Sequence, residues 1–197
     1  MQSTFSAFFQ LGIQHIADVN AYDHIVFLLA LCATYPLTAW RKIAVLVTAF
    51  TIGHSITLVL AALQIISPWY SVIEKLIPIT IMCTAVLNCY RIENENKEIA
   101  GRKNGLAYIL ALGFGFIHGM GFSNFFRQLE PDGKNLVKEL FAFNIGIEAG
   151  QLFIVSTILV VSFLLTKIFK IKQQAWIYFI SGAAFGIAIT LLIGSKN

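Results

Sequence analysis

The sequence predicts an all-α, polytopic membrane bundle: six transmembrane helices preceded by an N-terminal interfacial or re-entrant helix. Three observations predict it. Of the 197 residues, 57% are hydrophobic and only 12% are charged, where an ordinary soluble domain carries roughly 25% charged residues. Apolar stretches of spanning length recur along the whole chain, and most of the charge falls in short segments between them. Such a chain has too few polar side chains to coat a water-facing surface. That excludes a soluble enzyme, a disordered tail and a nucleic-acid-binding module.

The elements follow in order. Residues 3–19 are too short to cross and are interrupted by polar residues, but Phe5, Phe8, Phe9, Gly12 and Ile16 lie near one helical face. An amphipathic helix lying on the membrane, or dipping over the outer mouth of the bundle, is expected there. A crossing needs about 20 mostly apolar residues. Six stretches qualify, at about 21–40, 43–66, 72–90, 105–126, 139–166 and 174–194. Together they consume most of residues 1–197, so the chain is expected to be a single integral membrane domain with no separate soluble part. Cys32, Cys83 and Cys89 all fall inside apolar runs, which reads as small core residues rather than a disulfide framework.

Orientation follows from the loops. Arg41, Lys42, Arg91, Lys97, Arg102, Lys103, Lys167, Lys170 and Lys172 lie between alternate spans and make up nine of the 14 basic residues. The positive-inside rule puts that side in the cytoplasm and both termini outside. Lys75, Arg127, Lys134, Lys138 and Lys196 fall on the other side.

The chemistry sits in the four histidines. His15 is in the N-terminal helix, Asp23-His24 opens the first span, His54 is in the second and His118 in the fourth. The fifth span adds Glu148, flanked on its own face by Asn144 and Gln151, and the third begins with Glu74. At 1.5 Å per helical residue, His54, His118 and Glu148 come to roughly 16–20 Å from the cytoplasmic edge, near one level. Asp23, His24 and Glu74 come within about 5 Å of the outer surface. Two tiers are therefore expected: a deep site of His54, His118 and Glu148, and an outer capture site of Asp23, His24 and Glu74. A re-entrant 3–19 segment would instead lower His24 into the deep site. Asn144 and Gln151 would orient ligands, with Thr51, Ser55 and His15 along the path.

An intramembrane carboxylate costs roughly 2.5–3.5 kcal/mol on insertion scales, which a cation would repay. Imidazole nitrogen with carboxylate oxygen suits a borderline divalent ion such as nickel, cobalt, zinc or iron, and is too nitrogen-rich for magnesium or calcium. Plainer roles compete. Asp23 also suits a helix N-cap, Glu74 an interfacial pair with Lys75, and each histidine a bond between helices.

In order, GIQHIADVNAYDHIVFLLAL, TAFTIGHSITL, VIEKLIPITI, GFGFIHGMGF and FNIGIEAGQL resemble the HupE/UreJ family of small bacterial membrane proteins. The resemblance covers residues 11–152, and Asp23, His24, His118 and Gly119 match its motif positions. It implies a nickel or cobalt permease, or an accessory protein of hydrogenase and urease systems, in the bacterial inner membrane. The alternative class is an intramembrane zinc-dependent hydrolase or transferase acting on a lipid or lipidated substrate, with Glu148 or Asp23 as general base. The expected partners are the metal ion and the bilayer; a homo-oligomer is left open, and neither nucleic acid nor ATP is expected, since no P-loop is present.

Overall fold

The structure is a computed structural model that describes residues 4–94, 104–129 and 136–194, with side chains except those of 94, 104, 106 and 123–129. Lys97, Arg102, Lys103, Lys134 and Lys196, which enter the orientation reading, lie outside the described residues, as does the side chain of Arg127. Seven α-helices follow one another: α1 (Thr4–Ile16), α2 (Asp23–Cys32), α3 (Trp40–Ala62), α4 (Tyr70–Asn94), α5 (Asn104–Leu129), α6 (Leu136–Phe163) and α7 (Gln173–Gly194). A 3-10 turn, Leu37–Ala39, leads into α3, and a π-helical turn, Leu164–Ile168, ends α6. No strand occurs among the described residues. Four helical stretches are long and apolar enough to cross a membrane: Leu37–Ala62, Tyr70–Glu93, Leu136–Ile168 and Gln173–Gly194. In α5 the apolar stretch so described is the shorter Ala107–Phe122.

The first predicted span, 21–40, is not one helix. Its helical part is the 10-residue α2, about 15 Å long and half of what a crossing needs. Hydropathy runs on through 33–40, but Pro36 disfavours a helical Tyr35 before it and the helix stops. At the other end, Asp18 Oδ1 accepts the Asn20 backbone N–H at 2.8 Å, a side-chain turn that halts α1. One face of α1 packs into the bundle, with Ile16 fully buried against Leu58, Phe143 and Ile147, while Phe5, Gln10 and Gln14 on its other side are exposed.

Contacts give the helix directions. Gly12 of α1 meets Phe143 and Ile147 of α6, and Ile13 and Ile16 meet Gly150, so α1 and α6 run parallel. Leu58 and Ala62 of α3 pack with Leu140 and Phe143, while Ile43 and Val47 pack with Ile158 and Leu159, so α3 and α6 are antiparallel. Phe27 of α2 packs with Phe50, and Leu28 and Cys32 with Ile43 and Val47, so α2 is also antiparallel to α3. Thus α1 and α2 descend in series beside α3, one along its second half and one along its first. The two helices, of 13 and 10 residues, run in the same direction with a break at 17–22.

Two glycine clamps set the helix spacing. On α5, a methyl group at Gly115 would run into the Phe50 carbonyl, and one at Gly119 into the His54 carbonyl and Thr57. Gly53 answers from α3, its missing Cβ facing the Leu112 carbonyl. The α1–α6 pair repeats the device with Gly12 against Phe143 and Gly146 against Phe9. Small residues at four-residue spacing allow backbone contact where lipid supplies no hydrophobic drive between helices. Large apolar side chains such as Ile109, Phe153 and Phe179 remain open on the outside. Trp40 and Trp69 stand exposed at the starts of α3 and α4, with the Arg41 guanidinium 5.3 Å above the Trp40 ring. Of the cysteines, only Cys32 is buried; Cys83 is exposed and Cys89 half-buried, and all three are free.

Candidate metal centre

The break between α1 and α2 carries the site. His15 lies in the last turn of α1, and Asp23 and His24 open α2. The α1 terminus directs unpaired carbonyls and the negative end of its dipole toward this level, which favours a cation. At the α2 terminus, Tyr22 occupies the cap position without a side-chain bond, and Asp23 Oδ1 accepts the His24 backbone N–H at 3.0 Å. His54 and His118 arrive on α3 and α5, held close by the Gly115 and Gly119 clamp.

All four imidazoles converge here. Ring centroids lie 4.8 Å apart for His15 and His24, 5.8 Å for His15 and His54, 6.0 Å for His24 and His54 and 5.1 Å for His24 and His118. Asp23, His24 and His118 each present a ligand atom within 4.8 Å of the other two. Three donors each about 2.1 Å from one ion lie about 3.4–3.6 Å apart, so closure onto one ion needs up to about 0.7 Å from each group.

Six of the eight ring nitrogens lack a hydrogen-bond partner while buried: His15 Nε2, both of His24, both of His54 and His118 Nδ1. Of these, His24 Nδ1 stands 3.2 Å from Asp23 Oδ1, an ion pair when the ring is protonated. An unsatisfied buried polar group costs about 1–3 kcal/mol. Each neutral ring can offer one lone pair, which makes the cluster a candidate metal centre. His118 Nε2 has a partner, Thr80 Oγ1 at 3.2 Å, which leaves Nδ1 for an ion. A ring fixed by its second nitrogen is the usual arrangement for a ligating histidine.

Aromatic rings close the cluster at both ends. Phe122 and Phe143 stack at 5.1 Å and 3°, with the His15 ring 3.9 Å from Phe122. On the other side Phe27 and Phe50 stack at 4.9 Å, 5.4 and 5.1 Å from His118. The pair Asp23-His24, expected in an outer tier, therefore lies together with His118, because the chain breaks between α1 and α2 beside it.

The carboxylates of the other expected ligands lie elsewhere. Glu148 Oε1 accepts the Thr48 hydroxyl at 2.6 Å between α3 and α6, while its Oε2 is buried without a hydrogen-bond partner; Glu148 is not among the three residues of the triad. Beside it, Gln151 Oε1 accepts from Thr51 at 2.7 Å, Asn144 donates to its own helix at the Leu140 carbonyl, and Ser55 donates to the Thr51 carbonyl. This polar stripe ties two helices together; it does not orient the histidines through any bond among the described residues. Glu74 is exposed near the start of α4. Sequence reasoning gave His15 only a place along the path, and passed over Thr80 and the phenylalanines. Thr80 two residues after Pro78, in an otherwise apolar run, was the available signal.

These features define a small helical membrane protein with a buried histidine–aspartate centre at a broken helix. A family model described as HupE / UreJ protein matches residues 1–194, and the chain belongs to that family. No curated protein and no solved structure matches it.

Proposed function

We propose that the protein carries a divalent transition-metal cation, nickel or cobalt, across the bacterial inner membrane through the His15, Asp23, His24, His54 and His118 centre. The observation that carries this reading is the set of five buried imidazole nitrogens with neither a hydrogen-bond nor an ion-pair partner, gathered beside the Asp23–His24 pair. Nitrogen-rich donors with one hard oxygen match that class of ion. Membership of a family associated with nickel and cobalt transport or accessory roles supports the same cargo. In the proposed topology α1 and α2 together make the first of six crossings, and the loops rich in Arg and Lys face the cytoplasm. A broken helix at the binding level is a recurrent device of secondary transporters, because freed carbonyls and helix ends face the ion. With no nucleotide-binding motif, membrane potential or proton exchange would drive the ion inward.

The competing reading, a zinc hydrolase or transferase, calls for a substrate-sized opening beside the ion. The packing of Phe122 and Phe143 on one side and Phe27 and Phe50 on the other favours an occluded ion instead. The test is uptake of nickel chloride into sealed vesicles containing the purified protein. Saturable uptake that ends in the Asp23→Asn and His118→Ala variants is expected; a protein that binds nickel but leaves the lumen empty contradicts transport. A reporter fused after Asn197 reads the orientation. Activity confined to the cytoplasm would overturn the proposed topology.

A further inference from the structure

Three buried polar atoms on one face of α6 have no hydrogen-bond partner among the described residues: Asn144 Oδ1, Glu148 Oε2 and Gln151 Nε2. Positions i−4, i and i+3 of a helix are surface neighbours, with about 5–6 Å between Cβ atoms. We propose that Glu148 is the proton site of the exchange. Its carboxyl group holds a proton while the histidine–aspartate centre is empty and gives it up when a divalent cation fills the centre. The proposal rests on the transport reading.

The hydrogen-bond inventory of this face carries it. Asn144 donates through Nδ2 to the Leu140 carbonyl at 2.8 Å; a carbonyl only accepts, so the free atom of that amide is its oxygen. Glu148 Oε1 accepts from the Thr48 hydroxyl, which leaves Oε2. A carboxylate oxygen and an amide oxygen are both acceptors and cannot bond to each other. One proton on Oε2 makes them a pair, with Oε1 still accepting from Thr48. On the other side, Gln151 is fully buried, and its Nε2 is a donor without an acceptor. The ionised carboxylate can take that N–H. Oε2 therefore has an acceptor for its protonated form one turn away and a donor for its charged form one turn the other way. Rotation of the Glu148 side chain moves it between them, and a buried ionisable group of this kind serves in proton relays.

Charge links this site to the metal centre. Of the elements packed against α6, α1 carries His15, α2 carries Asp23, His24 and Cys32, and α3 carries Arg41, Lys42 and His54, while the turn that ends α6 carries Lys167. No ion pair to Glu148 occurs among the described residues. Thr48, which holds Oε1, precedes His54 by about 9 Å along α3, a range at which charges still interact in low-dielectric surroundings. A dication in the centre and the Oε2 proton repel each other. Filling the centre breaks the Oε2–H bond, the proton passes to water, and the carboxylate keeps the electron pair. The coupling is reciprocal, so the proton weakens the cation by the same factor. Two charges enter for each one that leaves, and a potential negative inside still favours entry.

The probe is nickel chloride, with the full-length protein in sealed vesicles that hold a pH-sensitive dye. In the parent, nickel entry should drive protons out and turn the lumen alkaline. In Glu148→Gln that proton movement should fall about tenfold or more, with bound nickel within about threefold of the parent. Infrared spectra of the protein in detergent give a second reading that needs no transport. The C=O stretch of a protonated, buried carboxyl group should vanish on adding nickel, be absent from Glu148→Gln, shift in Asn144→Leu and stay unchanged in Glu74→Gln. Nickel uptake by the parent at constant lumenal pH overturns the proton site alone, as does a parent without that band or a band that persists in Glu148→Gln. Uptake that requires sodium and moves no protons also overturns it, and makes this face an alkali-cation seat. A parent that holds nickel but takes up none overturns the transport reading and the exchange with it.

Discussion

Alanine at His24 should empty the metal centre as completely as alanine at His118, with metal affinity falling about a hundredfold or more in each, beyond the 10–100-fold typical of an outer-shell partner. Both rings belong to the triad with Asp23, and each brings a buried nitrogen with no other partner. His15→Ala and His54→Ala should each cost about tenfold or more, because their rings lie 4.8 and 6.0 Å from His24. Glu148→Gln should hold metal within about threefold of the parent, below any outer-shell effect, since its carboxylate answers Thr48. Equilibrium dialysis with nickel measures all five variants. Retention by His24→Ala with loss in Glu148→Gln would restore two separated tiers and refute the single centre.

Gly119→Ala should destabilise the protein by about 1–3 kcal/mol, the usual cost of overpacking, and weaken metal binding with it. The added methyl meets the His54 carbonyl and the Thr57 side chain, so α3 and α5 must part at the residue beside His118. Neither obstacle is the far end of a flexible side chain. Gly113→Ala on the same helix supplies the comparison, because nothing lies within 4 Å of its missing Cβ. There the change should be neutral or stabilising by up to about 1 kcal/mol from helix propensity. Thermal unfolding in detergent, followed by retained nickel, separates the two. Equal behaviour of the two variants would mean that the glycines matter through propensity and not through backbone contact.

Apolar length carried most of the fold into view, and its failures have a physical cause. Predicted spans at 43–66, 72–90, 105–126, 139–166 and 174–194 match α3 to α7 in number and order, because a long apolar run leaves the backbone no other way to satisfy its polar groups. Hydropathy alone reports that a segment is apolar, not that it is one helix. That is how 21–40 concealed Pro36. Depth counted along one continuous first span then set Asp23 and His24 apart from His118, which the structure brings together. Residue type served better: the four histidines and Asp23 stood out because ionisable groups are expensive in such a chain. Glu148 stood out for the same reason, and there the packing gives Oε1 a Thr48 hydroxyl while Oε2 is buried without a hydrogen-bond partner. The phenylalanines were invisible for the opposite reason, since 17 of them occur in the chain and nothing local distinguishes a ring over His118 from a ring facing lipid.

The central claim is one divalent ion held by imidazoles and Asp23 at the break between α1 and α2. Metal analysis of the purified protein together with X-ray absorption at the nickel edge tests it most directly. One nickel per chain is expected, with at least three imidazole ligands, released as the pH falls and protons compete for the ring nitrogens. Substoichiometric nickel, or a bound ion without imidazole in its coordination shell, would contradict it.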